Sequence, residues 1–172
     1  AAILVLMWQG RKAKVGALSM LDLAAPAAAV GYGVGRLGCL TSGDGDYGIP
    51  TSLPWGISFP HGLVPTMQRV QPTPVYEFIV ALLIAWYLWH RGRTDKPVGQ
   101  ITGEYLIWTG LARFLVELMR NNPRIYFGMS NAQVARIGSM IAGALLIVWA
   151  QRRARTLAEM RARKSTPNIV SG

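Results

Sequence analysis

Residues 31–48 read GYGVGRLGCLTSGDGDYG, and the fold turns on how this stretch is taken. Within it GVGRLG, residues 33–38, fits the GxGxxG spacing literally. A dinucleotide-binding turn needs a strand before the glycines, a helix after them and an acidic residue about 20 positions on. Here the apolar run VGALSMLDLAAPAAAVGYGVGRLGCL (15–40) contains them and a polar, turn-rich loop follows. The glycines therefore belong to an apolar helix, where small residues allow close helix contact. Arg36, at the end of that helix, either reaches the membrane interface or offers its fork to a lipid phosphate for which the glycines clear space.

Composition extends this reading to the whole chain. Of 172 residues, 51% are hydrophobic and 15% charged, against about 25% charged in soluble domains. A net charge of +10 invites a nucleic-acid reading, but that needs the charge on one face of a polar domain. Instead the charge falls in clusters between apolar segments: Arg11, Lys12 and Lys14; Arg91, Arg93 and Lys96; Arg152, Arg153, Arg155, Arg161, Arg163 and Lys164. Between them lie PVYEFIVALLIAWYLW (74–89), GQITGEYLIWTGLARFLVELM (99–119) and SNAQVARIGSMIAGALLIVWA (130–150). These approach or reach the ~20 residues that cross a hydrocarbon core as a helix. Asp22, Pro26 and the glycines make 15–40 a weaker span, of the kind neighbouring helices must support. The expected fold is an all-α, multi-pass transmembrane helical bundle with an outward-facing polar loop, no nucleic-acid partner, and every basic cluster on the cytoplasmic side. Arg36, Arg69, Arg113, Arg120, Arg124 and Arg136 are left unexplained by topology.

The opening AAILVLMWQ is too short to span and lacks the charged start and cleavage site of a signal peptide; it reads as the end of a helix that began earlier. One cysteine, Cys39, permits no internal disulfide, and with His61 and His90 it makes no zinc spacing. Neither a metal nor a cofactor is expected.

Charges inside apolar segments are functional candidates by default. In RFLVELMR, Arg113, Glu117 and Arg120 fall on one helical stripe. Their structural alternative is an Arg113–Glu117 staple with Arg120 reaching outward. Tyr76 and Glu77 open a helix after QPTP; Glu77 either complements the helix dipole or holds an arginine from the glycine-rich segment. The loop TSGDGDYGIPTSLPWGISFPHG is full of turn formers. Its Asp44 and Asp46 resemble the start of a calcium loop whose remainder is absent, while Tyr47, Trp55 and Phe59 fit an interfacial aromatic belt.

Taken together, GRLGCLTSGDGDYGIPTSLPWG, QPTPVYE, GLARFLVELMR and SNAQ resemble, in order and spacing, the bacterial prolipoprotein diacylglyceryl transferase family over about residues 11–150. The resemblance implies a multi-pass inner-membrane enzyme that moves the diacylglyceryl group of phosphatidylglycerol to the lipobox cysteine thiol of a preprolipoprotein. It implies catalytic roles for Arg36, Arg113 and Glu117, and substrate contacts for Arg36, Gly48, Tyr76, Glu77, Arg113 and Arg120. The family pattern places asparagines at Cys39 and Ser42, a glutamate at Asp44 and a histidine at Gln71. Its histidine-bearing HGG segment falls upstream of Ala1, so 1–150 reads as the C-terminal portion of one transmembrane transferase domain and 151–172 as a basic cytoplasmic tail. His61 is the weaker candidate for a substitute base. The rival class is a non-catalytic membrane protein that binds anionic lipid or lines an anion path, which would string its charges through the bilayer.

Overall fold

The computed structural model describes residues 2–120 and 131–165. Five helices, α1 (Ala2–Lys12), α2 (Ala17–Ser42), α3 (Thr73–Gly92), α4 (Gln100–Glu117) and α5 (Asn131–Ser165), dominate it. Helix α2 packs on α3, and α4 packs on α3 and α5. Alanines at 25 and 29 on α2 bring it close to Ile84, Ala85 and Leu88 of α3, with Ile101 of α4 completing the core. At the α4–α5 crossing the backbones themselves touch: a Cβ on Gly143 would lie 2.6 Å from the Gly103 carbonyl oxygen. Small residues permit that approach where apolar burial alone drives little association.

Among the described residues three helices are long and apolar enough to cross a membrane: Ala17–Ser42, Thr73–Gly92 and Gln133–Met160. Leu23, Leu83, Trp86 and Leu145 turn large apolar surfaces outward from them, as lipid-facing residues do. The weak segment 15–40 thus qualifies, whereas the expected span 99–119 does not. Helix α4 carries Glu104, Arg113 and Glu117, and it sits between neighbours that take up these charges. Arg91 donates to both oxygens of Glu104, at 3.2 and 2.7 Å, and Gln100 adds a third bond at 3.0 Å.

Asp22, the residue that weakened α2 as a span, has its own task. Its carboxylate accepts from the Gly99 and Thr102 amides at 2.6 and 2.7 Å and from the Thr102 hydroxyl at 2.5 Å. A side chain of α2 therefore caps the start of α4 across the bundle, satisfying amides a helix N-terminus leaves open.

The loop after α2 corrects the all-α expectation. It contains an antiparallel hairpin, β1 (Ile57–Phe59) and β2 (Thr66–Val70), pairing Ile57 with Val70 and Phe59 with Thr66. Proline and glycine between such short strands read as plain loop in the sequence. Arg69 ties the loop down, donating to the carbonyls of Pro54 at 2.7 Å and Gly56 at 3.2 Å. Helix α5 continues unbroken through 150/151 into the basic extension; residues 166–172 lie outside the described residues.

The hydrogen bonds place the elements end to end. Asp22 and Gly99 meet at one end, where α1 with its terminal Arg11 and Lys12 also joins α2. At the other, Ile49 N–H bonds to the Met119 carbonyl and the Thr73 hydroxyl to the Asp46 carbonyl. The hairpin loop, the end of α2, the start of α3 and the end of α4 converge there.

Candidate active site

That second end holds most of the singled-out residues. Glu77 points into the bundle from the first turns of α3, its side chain only 2% exposed. One carboxylate oxygen pairs with Arg36 Nε from α2 and the other with Arg113 Nη1 from α4. The Tyr32 hydroxyl donates to the same carboxylate at 2.9 Å. Arg36 reaches a second acid with its other arm, Nη2 to Asp46 Oδ2 at 2.5 Å, and Asp46 Oδ1 pairs with Arg120. Charges thus alternate in one chain, Arg113, Glu77, Arg36, Asp46, Arg120, joining three helices and the loop. Only a planar guanidinium can serve two carboxylates from fixed directions in this way.

Local structure explains how each group arrives. Tyr32 precedes Arg36 by four residues and so lies on the same face of α2. Asp46 is set by the loop: its amide bonds to Asp44 Oδ1 at 3.1 Å, and its carbonyl accepts from the buried Thr73 hydroxyl at 2.6 Å. Gly48 then passes between α3 and α4. A Cβ there would stand 2.9 Å from Thr73 Cγ2 and 3.0 Å from the Met119 carbonyl oxygen, so only glycine fits without displacement. Burial pushes the Asp46 carboxyl up, but the hydrogen bonds and charges of Arg36 and Arg120 outweigh it and hold the group below the usual carboxylate range.

Several expectations change. Glu117 stands 4.0 Å from Arg113 Nη2, at the outer limit of an ion pair, so the closer carboxylate of Arg113 is Glu77 on another helix. Tyr76 does not accompany Glu77; its hydroxyl accepts from Trp55 Nε1 at 2.7 Å on the exposed side. Consecutive helix residues diverge by about 100°, which separates the pair. Asp46, read with Asp44 only as the start of a calcium loop, meets Arg36 and Arg120. Asp46, Tyr32 and Thr73 were missed as site residues; the i, i+4 spacing of Tyr32 and Arg36 was the available signal. His61 is exposed in the hairpin turn and takes no part in the network. Arg124 and Ser130 lie outside the described residues.

The donor set suits an anion. Cys39, Asp44 and Asp46 offer ligand atoms within 4.8 Å of one another, but both Asp46 oxygens face guanidinium groups and Arg36 Nη1 lies 3.5 Å from the Cys39 sulfur. A cation would sit against two arginines. An incoming phosphate, by contrast, meets N–H donors that the carboxylates leave over.

Residues 1–149 match the family model described as prolipoprotein diacylglyceryl transferase. The chain belongs to the prolipoprotein diacylglyceryl transferase family. Among its relatives, the phosphatidylglycerol–prolipoprotein diacylglyceryl transferase of Pseudoalteromonas atlantica is 33% identical over 160 residues, 88% of this chain and 56% of that protein. The protein of the same name from Cupriavidus metallidurans is 34% identical over 88% of this chain and 57% of its own length. That of Leptospira interrogans reaches 40% over 112 residues, 63% of this chain and 35% of that protein. The chain spans about half the length of the first two.

Proposed function

We propose that the chain carries the arginine site of a bacterial inner-membrane enzyme that transfers the diacylglyceryl group of phosphatidylglycerol to the lipobox cysteine thiol of a preprolipoprotein. One observation carries the reading: a buried carboxylate, Glu77, holds two arginines from different helices at one end of an apolar bundle. The names of the relatives supply the substrates. The basic clusters near the α1–α2 turn, at the end of α3 and along the α5 extension lie toward the opposite end, which the positive-inside rule assigns to the cytoplasm. The network and its loop then face outward, where lipoprotein precursors emerge.

In this reading Arg36 and Arg113 grip the phosphate of the lipid. The thiolate attacks the glyceryl carbon bonded to the phosphate oxygen; a C–S bond forms as the C–O bond breaks, and the electron pair leaves with glycerol phosphate. Charge grows on the leaving oxygen, which preorganised guanidinium donors stabilise. Glu77 and Asp46 keep the guanidinium planes fixed before substrate arrives, and Arg120 anchors Asp46. Glu117 serves beside Arg113 as a positioning carboxylate, Gly48 sets the loop, and Tyr76 holds Trp55 at the rim. The displacement needs neither redox change nor cofactor. The arginines gather at one end, and the acids at the other, Asp22 and Glu104, are already engaged by Gly99, Thr102 and Arg91, which favours this over an anion path with charges along its length.

The test is the mass of a lipobox-cysteine peptide in phosphatidylglycerol vesicles, with the chain alone and fused to the part of the Pseudoalteromonas relative that it does not cover. A diacylglyceryl mass gain that Arg36→Ala and Arg113→Ala each abolish, and Arg163→Ala leaves intact, supports the reading. Equal, mild losses from all three substitutions would reduce the arginines to general charge attraction.

A further inference from the structure

At the end of the bundle opposite the arginine network, a cavity of about 400 Å³ opens between the start of α2 and the end of α3, lined by Ser19, Leu23 and Pro26 on one side and Leu88 and Trp89 on the other. It runs on into a second space of about 360 Å³ that shares Leu23, Pro26 and Trp89 and reaches Val30 and Leu82. From Ser19 to Val30 the groove follows α2 for roughly 16 Å, about one leaflet of a bilayer core. Its walls are apolar and its mouth is basic. Arg93, Thr94 and Lys96 rim the opening, and the Arg93 guanidinium lies 5.3 Å over the Trp89 ring.

The two cations at this mouth are not tied up in ion pairs. Arg91 is held by Glu104, but among the described residues neither Arg93 nor Lys96 forms an ion pair, and Asp95, between them in the chain, bridges to neither. Asp22 lines the floor with both oxygens engaged by Gly99 and Thr102. A bare apolar groove would accept any acyl chain. One that ends at two cations free of ion pairs favours an anionic head.

We propose that this groove seats one anionic phospholipid of the leaflet at the basic end, with its phosphate at Arg93 and Lys96 and an acyl chain along Leu23, Pro26 and Trp89. The headgroup end of the seat, at Ser19, lies roughly 25 Å along α2 from Arg36 of the arginine network, and the far end of the groove, at Val30, stops about 9 Å short of it. It also has a structural consequence. The segment that would hold the headgroup, 93–98, leads directly into Gly99, whose amide Asp22 caps; a bound lipid therefore fixes the start of α4, the helix that carries Arg113 and Arg120 at its far end.

Native mass spectrometry of the full chain, titrated with phosphatidylglycerol or phosphatidylcholine, tests the seat. The Arg93→Gln/Lys96→Gln double variant removes the charge, and Ala27→Trp fills the groove from an exposed position that leaves the charges in place. The expected result is one tightly retained phosphatidylglycerol, weakened about thirty-fold by the double variant, lost in Ala27→Trp, and unaffected by Arg11→Gln/Lys14→Gln at another basic cluster. Equal retention of both lipids, equal loss from the Arg11/Lys14 control, or full retention in Ala27→Trp would each overturn the proposal.

Discussion

Replacing Glu77 by glutamine keeps its shape and removes the one charge that two arginines share. The side chains of Glu77, Arg36 and Arg113 are 2%, 12% and 14% exposed, so the freed guanidinium groups cannot simply turn to water. Breaking a buried pair by removing one partner costs about 3–5 kcal/mol. The glutamine amide also places donors against donors, which argues for no less than the lower figure. For a chain of this size about 3 kcal/mol lowers the melting temperature by roughly 6–12 °C. Tyr76→Phe, one residue away, loses only an exposed hydrogen bond from Trp55, about 1 kcal/mol and roughly 2–4 °C. Thermal unfolding in phosphatidylcholine-containing detergent micelles, followed by tryptophan fluorescence, compares them. Added phosphatidylglycerol should restore more stability to Glu77→Gln than to the parent, since the vacated guanidinium groups gain an anion. If Glu77→Gln melts within a degree or two of Tyr76→Phe and responds to the lipid as the parent does, Glu77 does not organise the arginines and the reasoning fails.

Asp46 gives a pH signature. Its folded carboxyl lies below the ordinary value, so its contribution is complete above the unfolded pKa near 4 and is lost as pH falls through the depressed folded value; melting curves from pH 6 to pH 3 should show an acid decline that is shallower in Asp46→Asn. Gly48→Ala should cost about 1–3 kcal/mol from overpacking against Thr73 and Met119 and lower transfer to the lipobox peptide by displacing Asp46, with unchanged transfer as the refuting result. Asp22→Ala should destabilise by about 1–2 kcal/mol through the lost cap on α4, and hydrogen exchange at the Gly99 and Thr102 amides should rise; protection equal to the parent would contradict the cross-bundle cap.

Much of the molecule was legible because membrane constraints are strong. Apolar length and the placement of basic clusters marked the helices at α2, α3 and α5, and charges in greasy surroundings marked Arg36, Glu77 and Arg113. Spacing along one helix misled where pairing crosses between helices: Arg113 and Glu117 share a stripe, yet the nearer acid comes from α3. It misled again at α4, which fails as an apolar span because its charges are meant for neighbouring helices. Asp22 and Arg69 could not be assigned from sequence, since their partners are backbone groups, with the Thr102 hydroxyl added for Asp22, 77 and 80 residues away for the first and 13 and 15 residues away for the second. The hairpin was hidden for a different reason: strands of three and five residues carry too little alternation to outweigh the prolines around them.

The central claim is that Arg36 and Arg113 bind the phosphate of phosphatidylglycerol. Arginine side-chain N–H signals, assigned by single Arg→Lys variants in isotope-labelled protein, read this directly by NMR in zwitterionic nanodiscs titrated with phosphatidylglycerol. The account predicts that the Arg36 and Arg113 signals shift together and saturate, and that Glu77→Gln alters both responses at once. Saturable shifts confined to the basic clusters, with Arg36 and Arg113 unmoved, would contradict it.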